Sequence, residues 1–375
     1  MQLRNIYIIT FHCAHNVGAM LQCYALSQKI ISSGFPVKVI DYRPAPERNA
    51  RIEEIWNASV FKKVKIHLKN MLWYPYYRLK GIMQNDNAVY MYGGNTAYRF
   101  FSFMRDYLPL TDRTFYSENE LECFRDENAV FITGSDQVWN FALSESPRAF
   151  LLDFVERGTK NSYAASFGKA TIDKQYIIYF EKAFKSFSTI TVREKSGIEL
   201  VNKMSGVDAS WVLDPVFLLS KSQWQKLIFR PKIKNPYIFL YRVETNPVFL
   251  QQLSELKQKN PALKVVQFDS FSDEVEADYC CLQKGPIDFL SYLFYSDMVL
   301  TNSFHGTAFS VIAEKKTVVV AHSAYNERIE SLMSVMGVRS KNGVYSLGPG
   351  SGRLMSDHID HSKKALQFIC AEAER

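Results

Sequence analysis

The chain has 375 residues, of which 47% are hydrophobic and 22% are charged. This balance is typical of a soluble globular protein and excludes a disordered one, and the length suits two domains, each with its own core. A net charge of +7 suits an anionic substrate, a nucleic acid or a membrane surface, and does not choose among them. There is no uncharged apolar stretch of roughly 18–20 residues and no signal-peptide pattern at the start, so we expect a cytoplasmic protein.

Strand-like and helix-like segments alternate along the chain. In the first half we predict strands at 6–11, 37–41, 129–133, 162–165 and 189–192, and helices at 17–33 and 173–187. After a proline-bearing stretch the pattern restarts, with strands at 237–241, 264–268, 298–300 and 317–321 and helices at 247–259, 286–295, 308–315 and 326–336. Two such arrays predict an α/β protein with two Rossmann-like domains and a cleft between the carboxyl ends of their strands.

The domain prediction is a first Rossmann-like domain at 1–220, a second, donor-binding one at 221–345, and a tail helix at 346–375 that packs back on the body. A basic and aromatic helical insertion interrupts the first domain at about 47–105. Between 55 and 85 it has no acidic residue, while lysines and arginines alternate with tryptophan, tyrosine and phenylalanine. We favour an insertion packed on the domain; the alternative is peripheral contact with the inner face of an anionic membrane. No nucleic-acid-binding module surrounds it, so we expect no nucleic acid partner.

The polar turn at 301–307 is the most informative stretch, because it joins a buried strand to a helix. Such a turn directs free backbone N–H groups and the positive end of the helix dipole at one spot, which suits an anionic ligand. His305 stands there as a candidate general acid, at a helix mouth where we expect it to be partly exposed. The alternative is an ordinary strand–helix junction that His305 merely caps. The candidate binding residues are Asn302, Ser303, Gly306 and Thr307.

Three other turns lie at strand ends. The first offers Asn16, Gly18 and Gln22, where a small residue lets the backbone approach a ligand. His12 and Cys13 in the same turn resemble a thiol–imidazole pair, but adjacent strand residues point to opposite sides, so we do not favour a nucleophile.

The second turn offers a cradle for a diol or a phosphate, and the third delivers Arg193, which suits a carboxylate or phosphate. For the second turn the alternative is an Asx-type turn; for Arg193 it is a surface ion pair. The second turn contributes Gly134, Ser135, Asp136 and Gln137.

The six cysteines show no metal-ligand spacing, so we expect reduced thiols, no metal and no cofactor.

Five short motifs occur together in a fixed order, and as a set they resemble the polysaccharide pyruvyl transferase family over roughly residues 5 to 340. They are Asn16-Val17-Gly18-Ala19, Gly134-Ser135-Asp136-Gln137, Val192-Arg193-Glu194, Leu213-Asp214-Pro215 and Ser303-Phe304-His305-Gly306.

The resemblance implies a GT-B-like pair of domains that transfers pyruvate from phosphoenolpyruvate to a sugar diol of a polysaccharide precursor, such as that of an exopolysaccharide or capsule. The products are a cyclic ketal and phosphate, and a lipid-linked acceptor is left open. The family's histidine maps onto His305 and its donor-binding arginine onto Arg193. Other members carry Arg-Leu-His where this chain has Ser303-Phe304-His305, so either another cation such as Arg328 or Lys195 substitutes, or the donor or its pose differs.

This chemistry assigns roles to the site. His305 protonates the enol carbon, the amides of Gly306 and Thr307 hold the departing phosphate, and Asp136 is a candidate base. One rival is a GT-B glycosyltransferase that uses a nucleotide sugar, for which Glu314 is the nearest candidate to hold a ribose. The other is a non-catalytic binding protein, which convergence of Arg193, Asp136 and His305 in one cleft would disfavour.

Overall fold

The computed structural model describes residues 3–44, 94–141, 148–169, 171–268, 275–281, 284–322 and 326–375. Most of the predicted insertion, residues 47–93, lies outside these ranges. Its packed and membrane-bound alternatives therefore stay predictions. Within the described residues no helix is long and apolar enough to cross a membrane.

The first sheet has five parallel strands in the order β3-β2-β1-β4-β5, the Rossmann arrangement. Its central strands are almost completely buried, as expected for a parallel sheet covered on both faces. The strands are β1 Ile6–Ile9, β2 Val37–Tyr42, β3 Leu110–Phe115, β4 Val130–Thr133 and β5 Thr159–Ser162. A separate parallel pair, β6 Thr191–Val192 and β7 Ser210–Trp211, extends this half.

Within the described residues, five helices accompany these strands or follow them directly. They are α1 Val17–Ser32, α2 Gly94–Tyr107, α3 Lys174–Phe184, α4 Lys195–Ser205 and α5 Lys221–Gln225. Gly34, with φ +90°, follows the end of α1 and supplies the left-handed residue that commonly ends a helix. Short 3₁₀ turns lie at Glu118–Phe124, Ala149–Leu151 and Pro215–Leu218.

The second sheet has six strands in the order β10-β9-β8-β11-β12-β13, parallel except for the last, antiparallel strand. The strands are β8 Tyr237–Tyr241, β9 Lys264–Gln267, β10 Tyr279–Cys280, β11 Met298–Thr301, β12 Lys316–Val320 and β13 Val344–Leu347. The helices are α6 Pro247–Lys259, α7 Pro286–Phe294, α8 Phe304–Ile312 and α9 Glu327–Val335. The predicted α/β class with two Rossmann-like domains is confirmed.

The tail forms α10, Ser356–Ala371, between 3₁₀ turns at Ser351–Met355 and Glu372–Glu374. It lies against the first half, since Leu213 N–H donates to Ser362 Oγ over 2.9 Å and the Tyr163 hydroxyl donates to the Ser362 carbonyl over 3.1 Å.

The two halves are joined by packing. The largest hydrophobic cluster includes Ile8 and Val39 of the first sheet together with Phe239 and Val299 of the second. Arg99 of α2 adds an ion pair across the halves, 2.7 Å from Asp288 of α7. The two halves were expected to have separate cores, but they share this cluster. The shared packing holds the two sides of the cleft against each other.

Several predicted boundaries are wrong by a few residues. The predicted strand at 162–165 is β5, three residues earlier, and the predicted strand at 189–192 reduces to the two residues of β6. The helix predicted at 308–315 begins instead at Phe304. This last shift matters, because it places His305 in the first helical turn rather than in a loop.

Candidate active site

A cavity of about 410 Å³ lies between the two sheets. Its walls come from segments that follow β1, β4, β8, β11 and β12, together with α9. These are the carboxyl ends of parallel strands, where ligands bind in Rossmann-like folds. The cavity is lined by Phe11, Ala14, Asn16, Ala19, Asp136, Gln137, Tyr241, Val243, Asn302, Ser303, Phe304, His305, His322, Arg328 and Ile329.

The N-terminus of α8 is held by Ser303. Its Oγ accepts the Gly306 N–H over 3.3 Å, and its carbonyl accepts the Thr307 N–H over 2.9 Å. The amides predicted to hold phosphate are thus used inside the helix, and neither Gly306 nor Thr307 lines the cavity. Among the described residues, no acceptor is found for the N–H groups of Phe304 and His305. An anion at this helix end would meet those two amides.

The side chain of His305 is 9% exposed, so the expectation of a partly exposed ring is wrong. It lies against α1 of the first half, where a Cβ on Gly18 would be 1.9 Å from Nδ1. Gly18 therefore makes room for the histidine, whereas we expected it to make room for a ligand. On the other side, Nε2 is 3.5 Å from Asp214 Oδ2 and has no hydrogen bond within the described part of the chain.

Arg193 lies behind the cavity and does not line it. Its Nη1 is 2.7 Å from Asp214 Oδ2, and its Nη2 is 3.3 Å from Asp136 Oδ1. The guanidinium is buried, 5.1 Å from the Phe304 ring centroid. We predicted that the guanidinium binds an anionic group of the donor. In this structure it binds the carboxylates of Asp136 and Asp214 instead.

Asp214 is the centre of this cluster. Burial acts to raise the pKa of its carboxyl, but the nearby His305 ring and the charge and hydrogen bond of Arg193 outweigh it and hold the pKa well below its usual range. Asp214 is therefore an anion at all ordinary pH values.

Arg328 is the cation that faces the cavity. Its guanidinium lies 5.8 Å from the Phe304 ring centroid, and no hydrogen bond or ion pair to another described residue engages it. Burial, and then the positive charge of Arg193, lower its pKa below the usual arginine value. Both effects make an anion a favourable neighbour. Lys195, the other candidate, is exposed; its Nζ contacts Ser334 Oγ at 3.4 Å and lies over the Trp211 ring.

Three predicted ligand residues are instead buried supports. Gln22 Oε1 accepts the Ser135 N–H over 3.1 Å, and its Nε2 donates to Thr10 Oγ1 over 3.0 Å. Ser135 Oγ donates to the Ala164 carbonyl over 2.9 Å. Gly134 has φ +101°, and a Cβ there would lie 2.6 Å from the Tyr163 carbonyl oxygen. They shape the turn that presents Asp136.

The remaining predicted residues do line the cavity. Asn16 caps α1 by accepting the N–H groups of Gly18 and Ala19 over 2.9 and 3.2 Å. Asn302 is committed to the loop after β8, accepting the Val243 N–H and donating to the Glu244 carbonyl, both over 2.8 Å. Gln137 and Asp136 follow β4, with Gln137 Oε1 accepting from Asn140 Nδ2 over 3.1 Å.

His12 and Cys13 form no nucleophilic pair. His12 Nε2 is 2.9 Å from Asp41 Oδ1, and Arg43 Nη2 is 2.7 Å from Asp41 Oδ2, so the histidine belongs to a buried His–Asp–Arg cluster outside the cavity. Burial raises the pKa of the Cys13 thiol to about 11, which keeps it protonated.

Two site residues escaped the sequence reasoning. Asp214 entered only as part of a motif, although an Asp-Pro pair is a signal for the start of a helix: its Oδ1 accepts the Val216 N–H over 3.1 Å. His322 gave no signal in the sequence. It follows β12, lines the cavity, and has Nε2 3.4 Å from Glu244 Oε2.

Solved structures with a similar arrangement share little sequence with the chain. HepE from Anabaena, in complex with UDP and glucose, is 10% identical with a TM-score of 0.45, over 99% of this chain and 93% of that one. UDP-GlcNAc 2-epimerase from Neisseria meningitidis, bound to UDP-GlcNAc, is 10% identical with a TM-score of 0.44, over 96% and 93%. UGT89C1 from Arabidopsis thaliana, complexed with UDP-L-rhamnose, is 10% identical with a TM-score of 0.43, over 100% and 95%.

A search of curated protein sequences gave no significant match. The family model for polysaccharide pyruvyl transferase matches residues 16–324, which contain every residue that lines the cavity except Phe11, Ala14, Arg328 and Ile329. The chain therefore belongs to the polysaccharide pyruvyl transferase family.

Proposed function

We propose that the protein transfers the pyruvyl group of phosphoenolpyruvate to two hydroxyls of one sugar in a polysaccharide precursor, forming a cyclic ketal and releasing phosphate. Family membership supports pyruvyl transfer in polysaccharide synthesis. The observation that carries the donor assignment is the convergence on one cavity of a histidine, an arginine and a helix N-terminus; among the described residues the arginine has no ion-pair partner and two of the helix amides have no acceptor.

Arg328 is the donor's cation in this proposal. Phosphoenolpyruvate carries a carboxylate and a phosphate, and this chain has Ser303 where the family has arginine. Arg328 reaches the same cavity from α9 and supplies the missing charge, while the amides of Phe304 and His305 receive the phosphate or the carboxylate. Arg193 is left to hold Asp136 and Asp214 in place.

The proton balance assigns the steps. His305 donates a proton to the CH₂ carbon of the enol, which becomes a methyl group and leaves an oxocarbenium centre at the adjacent carbon. The first sugar hydroxyl adds there, and Asp136, which lines the cavity, is placed to take its proton and pass it on to restore His305. The second hydroxyl then displaces phosphate, which leaves with that hydroxyl's proton.

The rival donor, a nucleotide sugar, has less support. Glu314, the candidate for holding a ribose, does not line the cavity, and its carboxylate is paired with Lys221 at 2.6 Å. A non-catalytic binding protein is also less well supported. Asp136 and His305 both line the cavity, and Arg193, just behind the cavity wall, bonds to Asp136.

The test is incubation of the purified protein with phosphoenolpyruvate and a panel of glycans that carry free 1,2- or 1,3-diols. We expect phosphate release that depends on one class of glycan, together with a new methyl singlet from the ketal in the proton NMR spectrum. Matched reactions with UDP-sugars control for the rival. Turnover of a UDP-sugar without turnover of phosphoenolpyruvate would contradict the proposal.

A further inference from the structure

The histidine of the second domain is clamped between two residues of the first. On one side Nε2 is 3.5 Å from Asp214 Oδ2, and on the other the ring lies so close to Gly18 that a Cβ there would be 1.9 Å from Nδ1. The ring therefore has little freedom to turn. Because Nε2 is buried 3.5 Å from the carboxylate, a proton that His305 exchanges with a ligand in the cavity has to pass through Nδ1, the nitrogen beside Gly18.

The Asp214 carboxylate is itself fixed from several sides. Its side chain is fully buried, Oδ2 accepts from Arg193 Nη1 over 2.7 Å and lies 3.4 Å from Ser135 Oγ, and Oδ1 accepts the Val216 N–H over 3.1 Å. These contacts leave the carboxylate one orientation. A carboxylate held in this way selects the tautomer of a neighbouring imidazole, because it accepts only from a protonated nitrogen.

We propose that Asp214 is the positioning residue of the reaction: it holds the Nε2–H of His305 and so directs Nδ1 at the donor. This inference rests on the proposed function for the identity of the donor. In the reactive state both ring nitrogens carry protons. The Nδ1–H bond breaks as the C–H bond forms at the enol CH₂, whose π electrons supply the pair, and the ring is left neutral with its Nε2 proton still on the Asp214 side. Asp214 itself stays ionised throughout.

The chain contains a matched control. The buried cluster of His12, Asp41 and Arg43 repeats the same three residue types, with the imidazole 2.9 Å and the guanidinium 2.7 Å from one carboxylate, but it does not line the cavity. Replacing either aspartate by asparagine removes a buried charge of the same kind. Only the replacement at Asp214 changes a histidine that faces the donor.

The experiment compares D214N with D41N. We expect D214N to lower kcat by about 10²–10⁴-fold with KM for phosphoenolpyruvate within about threefold, because the acid is misdirected while the donor's cation is intact. D41N should lower the melting temperature comparably but keep kcat within about threefold. A D214N enzyme with the kcat of D41N would overturn the inference.

A second measurement does not depend on activity. In protein with ¹⁵N-labelled histidine, NMR of the neutral ring identifies the protonated nitrogen, and H305Q assigns the signal. We expect the Nε2–H tautomer in the wild type and a shift towards Nδ1–H in D214N; an Nδ1–H wild type overturns the inference even if D214N does not fold. If the wild type releases no phosphate from phosphoenolpyruvate, the proposed function fails. The NMR measurement of the tautomer still tests whether Asp214 holds the Nε2–H of His305.

Discussion

Gly18→Ala places one methyl group against His305, the proposed general acid. The added Cβ would lie 1.9 Å from Nδ1 of His305, whereas ordinary contact begins at 3.4 Å, so the ring or the helix must move by about 1.5 Å. Displacing a reacting group by about 1 Å costs on the order of 10²-fold in rate, about 2.7 kcal/mol in the barrier. We therefore expect kcat to fall by about 10²-fold.

Overpacking at this buried contact costs about 1–3 kcal/mol of stability. Alanine is about 1 kcal/mol more favourable than glycine within a helix and offsets part of that cost, so we expect a folded enzyme that melts a few degrees lower. Phosphate release from phosphoenolpyruvate and the melting temperature are measured on the same preparation. Gly348→Ala is the control, since no atom lies within 4 Å of a Cβ there. A Gly18→Ala enzyme that keeps its kcat within about threefold refutes the close approach of Gly18 and His305 as the feature that positions the acid.

The other predictions concern the donor's cation, the second buried aspartate and the cysteines. Arg328→Gln should raise KM for phosphoenolpyruvate by about 10–100-fold, the loss of one charge-assisted hydrogen bond, while Arg339→Gln at an exposed position should not; equal KM values would remove Arg328 from the donor site. Although burial acts to raise the pKa of Asp41, its partners hold that pKa below the usual range, so its contribution to stability is present above about pH 4 and is lost as the pH falls towards the folded-state pKa. Urea unfolding should accordingly show a destabilisation by Asp41→Asn that is largest near neutral pH and shrinks in acid, and a constant difference would contradict it. A thiol reagent at pH 8 should label the exposed cysteines 123 and 280 in the native protein and the buried cysteines 23 and 370 only after unfolding, since burial raises the pKa of each buried thiol; rapid native labelling of Cys23 would count against its burial.

The alternation of apolar strands and amphipathic helices was enough to predict two Rossmann-like domains and the strand ends that line the cavity. It was not enough to predict whether each side chain at these strand ends faces the cavity or the interior of the protein. Gly18 and Gln22 look like ligand residues because small and polar side chains follow a strand. In the structure Gly18 faces His305 of the second domain, whereas Gln22 bonds to Thr10 and Ser135 within the first, and the local sequence reveals neither contact. Arg193 shows the same difficulty, since a single sequence does not reveal that two carboxylates from distant segments surround it.

The helix boundary at α8 had a particular cause. Glycine and threonine after His305 read as a continued turn, yet Ser303 caps the helix one residue before Phe304 and takes up the Gly306 amide. That change moved the candidate anion-binding amides to Phe304 and His305. The predicted exposure of His305 was wrong for a related reason. The residues that bury its ring, Gly18 and Asp214, belong to the other domain.

The most direct test of the central claim is the reaction run in D₂O. If His305 protonates the enol carbon, each pyruvyl group transferred must gain one deuterium from solvent and carry a CH₂D methyl, a mass increase of one that proton NMR locates at that carbon. We expect this label in the wild-type product. We expect H305Q to form almost no labelled ketal while melting within a few degrees of the wild type. A product without deuterium, or a labelled product formed as fast by H305Q, would contradict it.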